Sequence, residues 1–156
     1  MKNLIIIVLL LILVSCSSEE SKNDATYSID FEMIVKNSDG ADLLNPNTPN
    51  TFNTPNIKLF YLKKGILEEV YSPTADFPRN YKIYQHIDGI YRIGIFPNDS
   101  KSENLPVTHI EWNATDTDTI KGEFYYSENA VIIQKVWFND ELRLDFSNGR
   151  TFEIVK

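Results

Sequence analysis

Five apolar residues at every second position, Tyr27, Ile29, Phe31, Met33 and Val35, constrain this chain more than any other feature. Ser28, Asp30, Glu32, Ile34 and Lys36 stand between them. Side chains of a strand point alternately to its two faces, so period two predicts one long strand with a single buried face. Asp39-Gly40 ends it.

The rest of the chain repeats this grammar. Residues 57–62 and 66–71 flank Lys63-Lys64-Gly65, and residues 81–87 and 90–96 flank Asp88-Gly89. Both read as hairpins with glycine at the turn. Further strands are expected at 107–112, 119–126, 130–138, 141–146 and 151–155, with turns at 113–118, 127–129, Asn139-Asp140 and Asn148-Gly149. Residues 41–56, rich in Asn, Pro and Thr, read as a long loop, as do 72–80 and 97–106. The expectation is an all-β fold, an antiparallel β-sandwich of eight to ten strands, immunoglobulin-like or prealbumin-like, occupying residues 26–156.

The amino terminus follows different rules. Lys2 precedes eleven residues, Leu4 to Val14, without a polar side chain. A helix of that length rises about 16 Å, roughly half of a bilayer's hydrocarbon core, which fits a signal peptide rather than a permanent span. Leu13-Val14-Ser15-Cys16 resembles the lipobox of bacterial lipoproteins. The resemblance implies removal of residues 1–15, lipidation of Cys16 and a polar tether over residues 16–25. Ser17 is not Asp, the residue that resembles an inner-membrane retention signal, so the outer membrane is expected. Ser17-Ser18-Glu19-Glu20 is similar to the surface-export signal of lipoproteins of the Bacteroidota, which favours the cell surface over the periplasmic face. With Asp39-Gly40-Ala41-Asp42-Leu43-Leu44-Asn45-Pro46 and the strand-rich body, the chain resembles small Bacteroidota lipoproteins. That resemblance implies a compartment and a fold, and no activity.

Composition narrows the function. Of 156 residues, 15 are basic and 22 acidic, a net charge of −7. Such a surface repels phosphate backbones, and no basic stripe overrides it, so nucleic acid is not an expected partner. The single cysteine, once lipidated, leaves no thiol for catalysis and no disulfide. His86 and His109 lack a partner histidine at metal-site spacing, and no Gly-x-Ser-x-Gly elbow occurs. No catalytic residue and no cofactor is assigned.

Four weaker signals remain. Asp116-Thr117-Asp118 resembles the opening of a calcium loop but lacks the later glycine and glutamate, so Asp116 and Asp118 are weak calcium candidates. Asp118-Thr119-Ile120 is similar to the O-glycosylation sequon of exported Bacteroidota proteins, with Thr119 as acceptor. Asn98-Asp99-Ser100 and Asn113-Ala114-Thr115 fit the N-glycan pattern, which in a bacterium, as the lipobox implies, usually means nothing. Trp112, Trp137, Tyr125 and Tyr126 are candidate ligand-contact residues, set against the alternative that they fill the core. The expected function is a non-enzymatic binding module, anchored by Cys16 and contacting its partner through loops 41–56 and 72–80 or a sheet face. The alternatives are a carbohydrate-binding module in glycan uptake and a small hydrolase. The partner would be a glycan or an envelope or surface protein.

Overall fold

The computed structural model describes residues 25–52 and 54–156. The expected signal peptide, Cys16 and nearly all of the tether lie outside the described residues. Among the described residues, eleven strands form two packed sheets, a β-sandwich. In chain order they are β1 (Thr26–Ser28), β2 (Phe31–Lys36), β3 (Lys58–Lys63), β4 (Ile66–Glu69), β5 (Tyr81–Gln85), β6 (Tyr91–Ile95), β7 (Val107–Asn113), β8 (Asp116–Tyr126), β9 (Ala130–Phe138), β10 (Glu141–Asp145) and β11 (Thr151–Val155). The larger sheet runs β1-β9-β8-β7-β3-β4, with β10 also paired to β9. The smaller runs β11-β2-β6-β5. No helix of the described residues is long and apolar enough to cross a membrane.

Alternation decides which residues meet between the sheets. On β7, Thr108, Ile110 and Trp112 are buried while the residues between them are partly open. Phe31, Met33 and Val35 do the same on β2, and Leu59, Ile93, Ile95, Ile120 and Val136 complete the centre. Burying an aliphatic side chain of this kind contributes about 1.5–3 kcal/mol, so this layer is the principal source of stability.

The tight turns follow the expected chemistry. Lys64 and Gly65 both have positive φ, 51° and 80°, as do Asn139 and Asp140, 50° and 67°. Two consecutive left-handed residues match the right-handed twist of the flanking strands. β8 starts at Asp116, earlier than expected, because Asn113 Oδ1 accepts from both the amide and the hydroxyl of Thr115 and tightens the turn.

Three expectations need correction. The long strand 27–36 is two strands in different sheets, separated at Ile29-Asp30. Ile29 stays 3 % exposed, whereas Tyr27 is 62 % exposed, because β1 leaves the core face to pair with β9. Secondly, β1–β9 and β11–β2 are parallel pairs within an otherwise antiparallel sandwich. Among the described residues the chain changes sheets after β1, β2, β4, β6 and β10, the last through the 3-10 turn Phe146–Asn148, and each parallel pair joins strands far apart in sequence, so neither is a hairpin. Thirdly, loop 41–56 is a loop as expected, but it is not free: it sends two residues into the core and a third against it. Leu43 and Leu44 are buried, and the Phe52 ring packs 5.0 Å from that of Trp112. Asp42 accepts from the amides of Leu44 (2.9 Å), Asn45 (3.2 Å) and Tyr91 (2.9 Å), which pins the loop to β6.

Candidate functional site

The four aromatic candidates separate according to strand parity. Trp112 is fully buried, and its Nε1 donates to Asp118 Oδ2 at 2.7 Å. It has no surface to offer a ligand, and its assignment as a contact residue is withdrawn. Trp137 is half-buried on the outer face of the large sheet, opposite Lys121 and Leu142. Tyr125 is 50 % exposed on that same face, opposite Ile132. The Glu123–Lys135 pair lies between them, so the two rings do not form one continuous platform. Tyr126 points to the opposite face, where its hydroxyl donates to the Asp99 carbonyl at 3.1 Å.

The calcium candidates already hold a cation. The Lys156 ammonium lies 2.6 Å from Asp116 Oδ1 and also bonds Asp118 Oδ2. Asp118 is 6 % exposed and further accepts from Asn139 Nδ2 at 2.8 Å. Burial acts to raise its carboxyl pKa, but hydrogen bonds from Lys156, Asn139 and Trp112 outweigh it and hold the group below its usual value. A calcium ion would have to displace the ammonium, so Asp116 and Asp118 are ion-pair residues here. Among the described residues, no group of three or more His, Cys, Asp or Glu converges as metal ligands.

Thr119 lies within β8 rather than at its start. Asn139 Oδ1 accepts its amide and its carbonyl accepts from the Asn139 amide, so its backbone is locked on both sides. Its neighbours in the tripeptide, Asp118 and Ile120, are buried. In the folded chain the sequon is therefore not an accessible extended segment. The N-glycan-like Asn98 is 2 % exposed and works as a loop anchor. Its side chain donates to Leu62 O (3.1 Å) and Val107 O (3.3 Å), and its amide donates to Thr108 Oγ1 (2.7 Å).

The two histidines are apart. His86 lies beside the β5–β6 turn, with Nδ1 3.1 Å from Asp88 Oδ2. His109 sits on β7, between Phe60 and Thr119 of the neighbouring strands. No hydrogen bond to a serine is made by either among the described residues.

The arrangement that best fits ligand binding combines the candidate loop 72–80 with residues outside the sequence candidates. Anchoring of Asn98 places Asp99 beside Tyr27 of β1 and Tyr61 of β3, at the end of the sandwich where loop 72–80 folds over. Together they line an open pocket of about 280 Å³, just below the usual range of small-molecule sites. Tyr27 donates its hydroxyl to Asp99 Oδ2 at 2.6 Å. Tyr61 donates to Phe96 O at 2.7 Å and accepts from Asn80 Nδ2 at 2.7 Å. Asn80 holds a left-handed backbone, φ 54°, which asparagine tolerates better than most residues. From the loop, Phe77 stacks on Phe96 with ring centroids 5.4 Å apart, and Asp76 adds a second carboxylate.

The electrostatics keep these phenols protonated. Tyr27 is 62 % exposed, and its hydroxyl is only partly buried where it meets Asp99. That burial, then the hydrogen bond and charge of Asp99, raise its pKa well above the usual tyrosine value. Burial pushes Tyr61 up to about 12 against the opposing bond from Asn80. Both are fixed neutral donors and not bases. No protein-family model matches the chain, and comparison with curated proteins and with solved structures also found no match.

Loop 72–80 was legible as a candidate contact loop. Tyr27, Tyr61 and Asp99 were not, because they come from three segments brought together only by the crossover and by burial of Asn98. The single local signal was Asn80 immediately before a strand, an asparagine where a left-handed turn residue belongs.

Proposed function

We propose that this chain is a lipid-anchored, non-enzymatic binding module of the outer membrane, facing the cell surface, whose ligand site is the pocket around Tyr27, Tyr61 and Asp99. The observation that carries the binding reading is that pocket: a cavity built from four chain segments, with its phenol hydroxyls fixed by defined hydrogen bonds. The lipobox-like Leu13-Val14-Ser15-Cys16 supports the anchor. An extended link from Cys16 to Thr26 reaches at most roughly 35 Å, so the pocket would work close to the membrane.

Two experiments test the reading. Cys16→Ala should move the protein from the membrane fraction to the soluble fraction, and protease added to intact cells should digest the wild type. For the site, pools of glycans, peptides and small amines are screened by thermal stabilisation of wild type and Phe77→Ala. A pool that stabilises the wild type and not the variant supports the pocket. If every pool acts equally on both, the pocket is not the site.

Glycan binding is the second reading. Phe77 and Phe96 line the pocket, and Tyr125 and Trp137 are accessible on the large sheet. Flat apolar rings beside polar acceptors suit a sugar ring. Protection of Tyr125 and Trp137 from chemical modification by an oligosaccharide would favour the sheet face over the pocket. The hydrolase reading requires Asp76 and Asp99 to act as an acid–base pair, and predicts release of nitrophenol from aryl glycosides that Asp99→Asn abolishes.

A further inference from the structure

We propose that the pocket accepts a small organic cation, an alkylammonium group, in preference to an anion or a neutral sugar. The inference rests on the binding-module reading and names the ligand class of the same site.

The hydrogen-bond inventory of the cavity points this way. Its phenol protons are already used: Tyr27 donates to Asp99 Oδ2, and Tyr61 donates to Phe96 O. Asn80 donates one amide hydrogen to Tyr61. The acceptors are less committed. Asp99 Oδ1, both Asp76 carboxylate oxygens and Asn80 Oδ1 take no side-chain donor among the described residues. A site rich in acceptors and poor in donors selects a ligand that donates. An ammonium group brings three donors and no acceptor.

Charge selects in the same direction. Most carboxylates of the domain have a cationic partner, among them Asp30, Glu32, Glu69, Asp88, Asp118 and Glu153. Asp76 and Asp99 form no ion pair among the described residues, and they line one cavity that has no basic residue in its wall. The rings beside these carboxylates suit the alkyl part of an organic cation as an apolar wall; Phe77 and Tyr61 already face the ammonium groups of Lys82 (5.5 Å to the ring centroid) and Lys63 (5.9 Å), so the charge attraction comes from the carboxylates. A phosphate or carboxylate ligand would meet like charge and few free donors.

The test is a 15N–1H NMR titration of the full-length protein with butylammonium chloride, butanol and glucose, at ionic strength held constant with sodium chloride. Butylammonium should shift the amides of Tyr27, Asn80 and Asp99 saturably, while butanol and glucose leave them in place. Asp76→Asn, at an exposed position, and Asp99→Asn should each weaken butylammonium binding about fivefold, the scale of one solvent-screened charge contact. Asp39→Asn, on a distant turn, should not. Raising the salt concentration should weaken binding further.

Equal shifts with butanol, or affinity unchanged in both pocket variants, would overturn the cation inference. If glucose shifts these amides and butylammonium does not, the cation fails while the pocket stands as a binding site. If no compound shifts them, the cation fails, and the thermal screen with Phe77→Ala decides the binding-module reading separately.

Discussion

Trp112 and Asp118 meet inside the sandwich, with the indole Nε1 2.7 Å from the carboxylate Oδ2. They occupy inward positions of neighbouring antiparallel strands, β7 and β8. The Lys156 ammonium closes the group, bonded to Asp118 and 5.6 Å from the indole centroid. A buried carboxylate persists here because three donors surround it.

Removing the cation from this group should be costly. Lys156→Ala leaves Asp118 charged and without its ionic partner, and the expected loss is about 3 kcal/mol, near the low end for breaking a buried pair. Urea denaturation measures it. Lys156→Ala combined with Asp118→Asn should recover part of the loss, since the neutral amide needs no cation.

The same group sets an acid limit. The folded pKa of Asp118 lies below its unfolded value, so the unfolded chain binds more protons in acid. Its stabilisation is fully present above the unfolded value of about 4 and is lost as pH falls through the folded value. Glu32 shifts in the same direction. Burial opposes the shift, but bonds from Tyr84, Arg92 and Thr151 outweigh it. Wild type should therefore lose stability below about pH 4, and Asp118→Asn should show a shallower decline. Identical pH profiles would remove Asp118 from the account.

The inward residues of loop 41–56 should contribute to stability as core residues do. Phe52→Ala is expected to cost about 2 kcal/mol, less than for a fully buried ring because Phe52 is only partly enclosed. Removing residues 47–52 should lower the thermal midpoint sharply, and an unchanged midpoint would return the loop to the status of a free contact element.

Gly122 is a packing requirement. A Cβ placed there would lie 2.5 Å from Phe124 Cε2 and 2.8 Å from Cζ, since the ring lies over the glycine on the inner face of β8. Gly122→Ala should destabilise by about 1–3 kcal/mol. In a double-mutant cycle with Phe124→Leu the penalties should be clearly less than additive.

Arg150 pins the crossover between sheets. Its guanidinium donates to Ser28 Oγ (2.9 Å) and Asp30 O (2.6 Å), on either side of the break between β1 and β2. Arg150→Ala should cost about 1 kcal/mol globally. Its distinctive effect should be faster hydrogen exchange at Thr26, whose amide donates to Asn129 O at 2.8 Å. Uniform change across β1 and β2 would show that Arg150 does not hold the crossover.

The alternation of residues 31–35 and 107–112 determined strand type and core face, because a side chain's direction on a strand follows from its position alone, whereas residues 116–118 read as a turn and became strand only through pairing with β7. Asp88-Gly89 and Asn139-Asp140 likewise announced their turns through local backbone preference. Tertiary structure decided what depends on distant neighbours. Tyr27 continues the alternation of Phe31 but belongs to another sheet, because sheet membership is set by the free edge of β9 more than a hundred residues away. Asp116 and Asp118 have the spacing of cation ligands, and only the return of β11 beside β2 brings Lys156 to them. The pocket arises in the same way. Tyr27, Tyr61 and Asp99 carry no shared local pattern, and their convergence is fixed by a crossover and a buried asparagine whose partners lie on other strands.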